Sequence, residues 1–251
     1  MIPDFFVAII YSKAKKEDIA MWLYDSSVKR TRLCDRILPK YSLSEEVINT
    51  ASHTLGILFG IFVLTYGVLS ATALGAGAVI SVAVYGVSMI LLYAMSSVYH
   101  LLPSSMGKKV FQVIDHCTIY FLIAGTYTPI LTIALAPKYP VAAWLTFAAV
   151  WGLAVLEIVM NAIDLKKFEK LSLIAYVAIG WAIIFSIDKA YDVLGGAGFA
   201  FLLSGGVVYT IGAVLYAIGK HKNLKYVHSV FHFFVLAGSV LQAICILFYV
   251  L

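Results

Sequence analysis

Residues 47–107 contain no Asp, Glu, Lys or Arg. A membrane-spanning helix takes about 20 apolar residues. The run is therefore too long for one span and long enough for two, and the glycine-rich "YGVLSATALGAGA" in its middle offers the break. The composition agrees. Of the 251 residues 62% are hydrophobic and 12% charged, with a mean hydropathy of +0.95, whereas soluble domains carry about 25% charged residues. The chain reads as a polytopic membrane protein, and the useful count is spans rather than soluble domains.

Seven helices are expected, over residues 48–70, 78–102, 110–135, 140–162, 170–187, 198–219 and 226–250. Ser42 followed by Glu45 has the spacing of a capping box and starts the first. The fifth is the shortest, with an uncharged core over 171–187 that sits at the lower limit for spanning. Trp and Tyr near several span ends suit interfacial belts.

The basic residues then orient the bundle. With the N-terminus in the cytoplasm, the cytoplasmic segments hold Lys13, Lys15, Lys16, Lys29, Arg30, Arg32, Arg36 and Lys40. To these the loops add Lys108, Lys109, Lys166, Lys167, Lys170, Lys220, Lys222 and Lys225. The opposite side holds only Lys138 and Lys189 of the 18 Lys and Arg. This bias predicts the N-terminus inside and the C-terminus outside. The net charge of +5 is accounted for by topology and attraction to anionic lipid, so membrane lipids are the expected partners and nucleic acid is not.

Residues 1–43 read as a cytoplasmic leader, and 44–251 as the transmembrane domain. Ile19, Trp22, Leu23, Leu33 and Ile37 interleave with the leader's charges, which fits an interfacial helix or a disordered tail. The start "MIPDFFVAIIYSK" has Asp4 where a signal peptide has its basic region. Cys34, Cys117 and Cys245 are odd in number and far apart, suiting neither a disulfide framework nor a thiolate metal site.

Polar residues inside the spans fall at one depth. His100 closes the second span, Asp115 follows the start of the third, and His228 and His232 lie in the first two turns of the seventh. Glu46, Asn49 and His53 open the first. At about 1.5 Å rise per residue, all lie roughly within 10 Å of the cytoplasmic edge. His228 and His232 are i,i+4 and share a helix face, as do Ser96 and His100, and Glu46, Asn49 and His53 line another. Ionisable groups in spans point inward, toward partners or water. Three imidazoles with a carboxylate nearby are what a zinc site needs. Plainer readings stand beside this one. A histidine near a helix end, such as His53, can serve as an interfacial hydrogen-bonder. Asp115 can cap its helix or pair with Lys108 or Lys109. "HSVFH" has the spacing of a zinc-protease pair but no adjacent Glu to act as base. His116 points away from Asp115, and His221 belongs to a basic loop. Glu157 and Asn161, i,i+4 in the fourth span, are expected to face inward and line the same cavity.

"EEVINTASHTLG" resembles the first motif of the hemolysin III family, Glu-x-x-Asn-x-x-x-His. "SSVYHLL" with "IDHCTIYFLIAGTYTP" is similar to its second block, and "HSVFHFFVLAG" to its third. The resemblance covers about 45–251. That family is related to the progestin and adipoQ receptors, including adiponectin receptors, and more distantly to alkaline ceramidases. The resemblance implies a seven-helix bundle in the cell membrane with zinc near the cytoplasmic face. It implies His100, His228 and His232 as ligands, and Asp115 as the group that holds or deprotonates water at the metal. Ser96 would sit on the oxyanion side, and Glu46, Asn49 and His53 would support the site.

Several functions remain open on this basis. One is a zinc-dependent intramembrane hydrolase of lipid amides or esters, ceramidase-like and concerned with membrane lipid homeostasis. Another is a lipid-responsive regulator or receptor with structural zinc. A pore-forming cytolysin fits less well, because the helices are those of a resident membrane protein. An ion conductor fits less well because the polar residues stop at one leaflet.

Overall fold

A computed structural model describes residues 30–251. The leader's expected interfacial helix, around Ile19, Trp22 and Leu23, lies outside the described residues. Within them Leu33–Asp35 forms one 3-10 turn. All regular structure among the described residues is helical: α1 (Leu43–Ala71), α2 (Ala76–Leu101), α3 (Met106–Pro129), α4 (Pro140–Asp164), α5 (Glu169–Gly180), α6 (Ile187–His221) and α7 (Val227–Cys245).

The signals that start and stop these helices are local. The Ser42 hydroxyl accepts from Glu45 N, and the Glu45 carboxylate accepts from Ser42 N at 2.8 Å, so the expected capping box forms. The glycine-rich break is a 3-10 turn, Thr72–Leu74, ending at Gly75 with φ +93°. Only glycine adopts that conformation without strain. Pro140 occupies the first turn of α4, where its missing N–H has no partner to lose. Beyond Pro129 the third helix continues as a π turn, Ile130–Leu135.

Six helical stretches are long and apolar enough to cross a membrane, and the fifth of them runs from Glu169 to His221, 53 residues. At about 1.5 Å per residue that would be roughly 80 Å if straight, far beyond a hydrocarbon core of about 30 Å. The stretch is not straight. It passes through a 3-10 segment at Ala182–Ser186, and Gly195 inside α6 has φ +66° and ψ 174°. Contacts pair residues symmetrically about that glycine. Lys220 reaches the Glu169 carboxylate, Trp181 Nε1 donates to Thr210 Oγ1 at 2.9 Å, and Tyr191 packs edge-on against Phe199. The stretch is thus a helical hairpin whose legs are 169–194 and 196–221. The charges Asp188, Lys189 and Asp192 bunch near its tip, where Asp192 meets Lys138 at 2.6 Å.

Neighbours in sequence pack side by side, α1 on α2, α2 on α3, α3 on α4 and α6 on α7, and α7 closes back on α1. Large apolar side chains such as Leu58, Leu145, Phe185 and Phe233 face outward, as lipid requires and water would not tolerate. Inside, Tyr93 of α2 donates to Ser239 of α7 at 2.7 Å, and Tyr209 of α6 meets the same hydroxyl at 2.8 Å. Small residues allow this closeness. A Cβ on Gly56 would lie 2.4 Å from the Tyr93 ring.

One end of the bundle gathers the starts of α1, α3, α5 and α7 and the ends of α2, α4 and α6. Thr31 N donates to Asp164 at 2.7 Å, Lys109 to the Cys34 carbonyl at 2.6 Å, and Tyr226 N to Glu45 at 2.7 Å. This is the basic end.

Candidate metal centre

His100 sits in the last turn of α2, and His228 and His232 occupy successive turns at the start of α7. The i,i+4 spacing puts the latter two on one face, and packing near α1 brings His100 to them. The Nε2 atom of His228 lies 3.1 Å from that of His100 and 3.1 Å from that of His232. All three residues are buried.

The partners of the opposite ring nitrogens favour one tautomer. His100 Nδ1 lies 2.6 Å from the Glu46 carboxylate, and His232 Nδ1 lies 3.3 Å from the Asn49 carbonyl. Carboxylate and carbonyl oxygens only accept, so both Nδ1 atoms carry hydrogen. With both rings neutral, as metal ligation requires, His100 and His232 aim Nε2 lone pairs at His228, whose Nε2 can give one proton to one of them at most. A lone pair facing a lone pair at 3.1 Å remains, and a cation removes that conflict. Zinc–nitrogen bonds of about 2.0–2.1 Å in a tetrahedron separate nitrogens by roughly 3.3 Å, close to the spacing found. The residues present fit a metal ion, and His100, His228 and His232 form the tight donor set.

The supporting residues are fixed in turn. Lys108, buried at the start of α3, reaches the other Glu46 oxygen at 2.6 Å and the Leu102 carbonyl at 2.9 Å. Lys108, Glu46 and His100 thus form a chain ending at the donor set, and such partners orient a ligand and raise its basicity. Asn49 accepts from Ser229 at 2.6 Å, which ties α1 to the α7 turn that carries both histidines.

His228 and His232 of the donor set line a cavity whose empty space, counted out into the open surroundings of its mouth, is about 1340 Å³. Its polar head comprises His53, Ser96, Asp115, His116, His228 and His232. Its walls are apolar and aromatic, from α2, α3, α5, α6 and α7. The head contains buried polar atoms without partners: Ser96 Oγ, both His53 nitrogens and His228 Nδ1. Unpaired buried groups are costly. Among paired structural groups they mark where another molecule's polar atoms belong.

Each residue expected from the sequence can now be placed. His100, His228 and His232 converge. Asp115 and Ser96 line the cavity head outside the tight donor set. Glu46 and Asn49 contact the ligands from behind. His53 stacks on His232 at 3.6 Å between ring centroids, with both nitrogens unpartnered. His116 donates to the Gln112 carbonyl at 2.8 Å and has Asp115 within 3.9 Å, so it shares the cavity head despite the turn between their side chains. His221 ends α6.

Glu157 and Asn161 face inward as expected but do not line this cavity. They join Tyr120 and Ser172 between α3, α4 and α5. Helix depth fixes only the level of a side chain and not which neighbours it meets. Lys108, expected as a possible partner of Asp115, pairs with Glu46 instead, and Tyr41, just before α1, packs on the His228 ring without any sign of it in the sequence. A lysine in a basic loop gives no signal of burial, and a tyrosine before a helix gives none of what it packs against.

The sequence profile described as "Haemolysin-III related" matches residues 41–243. The chain is 40% identical over 210 residues to Hemolysin-3 of Bacillus cereus, covering 83% of this chain and 93% of the relative. It is 36% identical over 210 residues to a Hemolysin-3 homolog of Bacillus subtilis, covering 83% and 96%. A more distant similarity, 23% over 164 residues (62% of this chain and 64% of the relative), links it to the human monocyte to macrophage differentiation factor, a protein of the progestin and adipoQ receptor family.

Proposed function

The chain belongs to the hemolysin III family, and from that premise we propose that this integral membrane protein is a zinc-dependent hydrolase of lipid amide or ester bonds. The observation that carries this reading is the convergence of three imidazole nitrogens, two of them on residues that line the polar head of an apolar cavity. An acyl chain suits the walls, and a carbonyl at its head suits the donors.

When bound, zinc supplies Lewis acidity, polarising a carbonyl and making water a stronger acid near pH 7. The chain's own residues do the rest. Asp115 orients a water molecule and takes its proton as the new C–O bond forms. It returns that proton to the departing nitrogen or oxygen as the amide or ester bond breaks. Ser96, which stands beside Asp115, donates toward the carbonyl oxygen as negative charge grows there. Glu46 holds His100 and Asn49 holds His232. The lipid enters between helices, which keeps its acyl chain out of water.

A regulator with a closed structural site is the second reading. It needs a fourth protein ligand, and Asp115 standing outside the tight donor set favours the hydrolase. We further propose seven spans, with the hairpin about Gly195 as the fifth and sixth and the basic end in the cytoplasm. A tag after Leu251 should then be modified only from outside the cell and a tag before Met1 only from inside. A C-terminal tag reached only from the cytoplasm would cut the count by one span.

The activity is tested by comparing lipid extracts from cells lacking the protein, cells carrying it and cells carrying His232→Ala. The expected result is one amide or ester lipid depleted, and its products enriched, only with the intact protein. Identical extracts from all three would sink the hydrolase.

A further inference from the structure

Two of the three ligand histidines are oriented by a hydrogen bond at Nδ1, His100 by Glu46 and His232 by the Asn49 carbonyl. The third is not. His228 Nδ1 is buried and has no partner. What touches the His228 ring instead is aromatic. Tyr41 stacks on it with centroids 5.1 Å apart and planes 21° from parallel. Tyr216 and Phe231 approach at 5.5 and 6.2 Å with their planes tilted. Tyr41 also sits 5.6 Å from the His100 ring. It thus packs against two ligand rings at the basic end.

Tyr41 is held in that place by its surroundings. It immediately precedes the Ser42 capping box, which fixes the entry of the chain into α1. The segment before it is tied across the bundle's end, by Thr31 N to Asp164 and by Lys109 to the Cys34 carbonyl, and Arg36 is buried. Glu45 and Ser44 bond Tyr226, the residue that opens α7 just ahead of His228. Stacking partner and ligand are therefore referenced to the same corner of the fold.

We infer that Tyr41 is the positioning residue for His228 and, with the strap 30–40, the cover that separates the metal centre from the solution at the basic end. A ring in an offset, near-parallel stack restrains an imidazole's plane, and it leaves Nδ1 free. A ligand cation's charge, spread into the imidazole, is also favoured by an aromatic face within about 6 Å. The inference depends on the metal reading of the site and goes beyond it.

The test uses the full chain purified in a bilayer mimic and loaded with zinc or cobalt(II). Two readouts are independent of turnover: the rate of zinc release to a chelator in solution, and the visible cobalt(II) spectrum, which reports ligand geometry. Tyr41→Ala should speed zinc release by about 10- to 100-fold, the range typical for residues that support a ligand, and should shift the cobalt bands. Tyr41→Phe should behave as wild type in both, since only the ring is used. Lys109→Met, at an exposed tether, should speed release without moving the bands, and it keeps the cover testable if Tyr41→Ala does not fold. Wild-type release and spectrum in Tyr41→Ala overturn the inference while leaving the metal centre standing. Tyr41→Phe as impaired as Ala overturns the stacking role, and unchanged release from Lys109→Met overturns the cover. A wild-type protein that takes up neither ion overturns both readings, and that is seen before any variant is compared.

Discussion

Two buried polar networks share the inner layer of this bundle, and each contains a glutamate in a membrane helix. Around Glu157 every group finds a partner within the cluster. Tyr120 donates to the Ser172 carbonyl at 3.0 Å and reaches Glu157 at 3.3 Å. Asn161 donates to the Glu157 carbonyl and to Ser172 Oγ, both at 2.8 Å. None of these side-chain atoms is left orphaned. Around Glu46 the bonds form a directed chain instead, from Lys108 through Glu46 to His100, and end where three imidazole nitrogens converge. Partnerless hydroxyl and imidazole atoms stand beside that end. Charge in a membrane helix is a pointer to function, yet it does not separate these two clusters. The direction of the hydrogen bonds does. A network whose side chains pair with one another joins helices, even where Glu157 also lines an apolar recess between α4 and α5, and one whose nitrogens converge beside a cavity is built for something else.

Substitutions on the two sides should therefore differ in kind. The largest effect is expected from His232→Ala. Two imidazoles hold zinc poorly, so metal content should fall from about one ion per chain to near zero after dialysis, measured by elemental analysis. Full occupancy would strike His232 from the donor set. Next comes Asp115→Asn, which keeps size and a hydrogen-bonding oxygen but loses basicity. Zinc content and melting should stay normal while turnover of the depleted lipid drops about 10²–10⁴-fold. Unchanged turnover would remove the general base, and lost zinc would make Asp115 a ligand. Glu46→Gln removes the acceptor charge behind His100 and should weaken zinc affinity about 10- to 100-fold in competition with a chelator. The smallest effect belongs to the closed network. Tyr120→Phe should cost about 0.6–1.7 kcal/mol of stability, the range for side-chain hydrogen bonds between membrane helices, with zinc affinity unchanged. If Tyr120→Phe releases metal, the division between the two networks fails.

Much of this was legible in the sequence because membrane physics is severe. The uncharged run of 47–107 had to become two helices, and the turn at Gly75 and the capping box at Ser42 arise where short-range chemistry asks for them. Depth follows from residue count, so the level shared by Glu46, His100, Asp115, His228 and His232 could be read without coordinates. The helical period put His228 and His232 on one face. Less legible was the stretch from Glu169 to His221. Its reversal depends on one glycine's dihedral angles and on pairs such as Trp181 with Thr210 that lie far apart in the chain.

What the sequence determined by itself is the class of molecule, its helices, its basic end and the level at which imidazoles gather, because each follows from local composition or a fixed helical rise. Only the tertiary structure decided which of the buried groups meet. Glu46 and Glu157 look alike along the chain, and Lys108 and Tyr41 look unremarkable. Helix rotation and packing turned Glu46 onto His100, closed Glu157 on Tyr120 and laid Tyr41 across His228. Those angles are set by contacts between distant segments, such as Gly56 against Tyr93, and no local pattern encodes them.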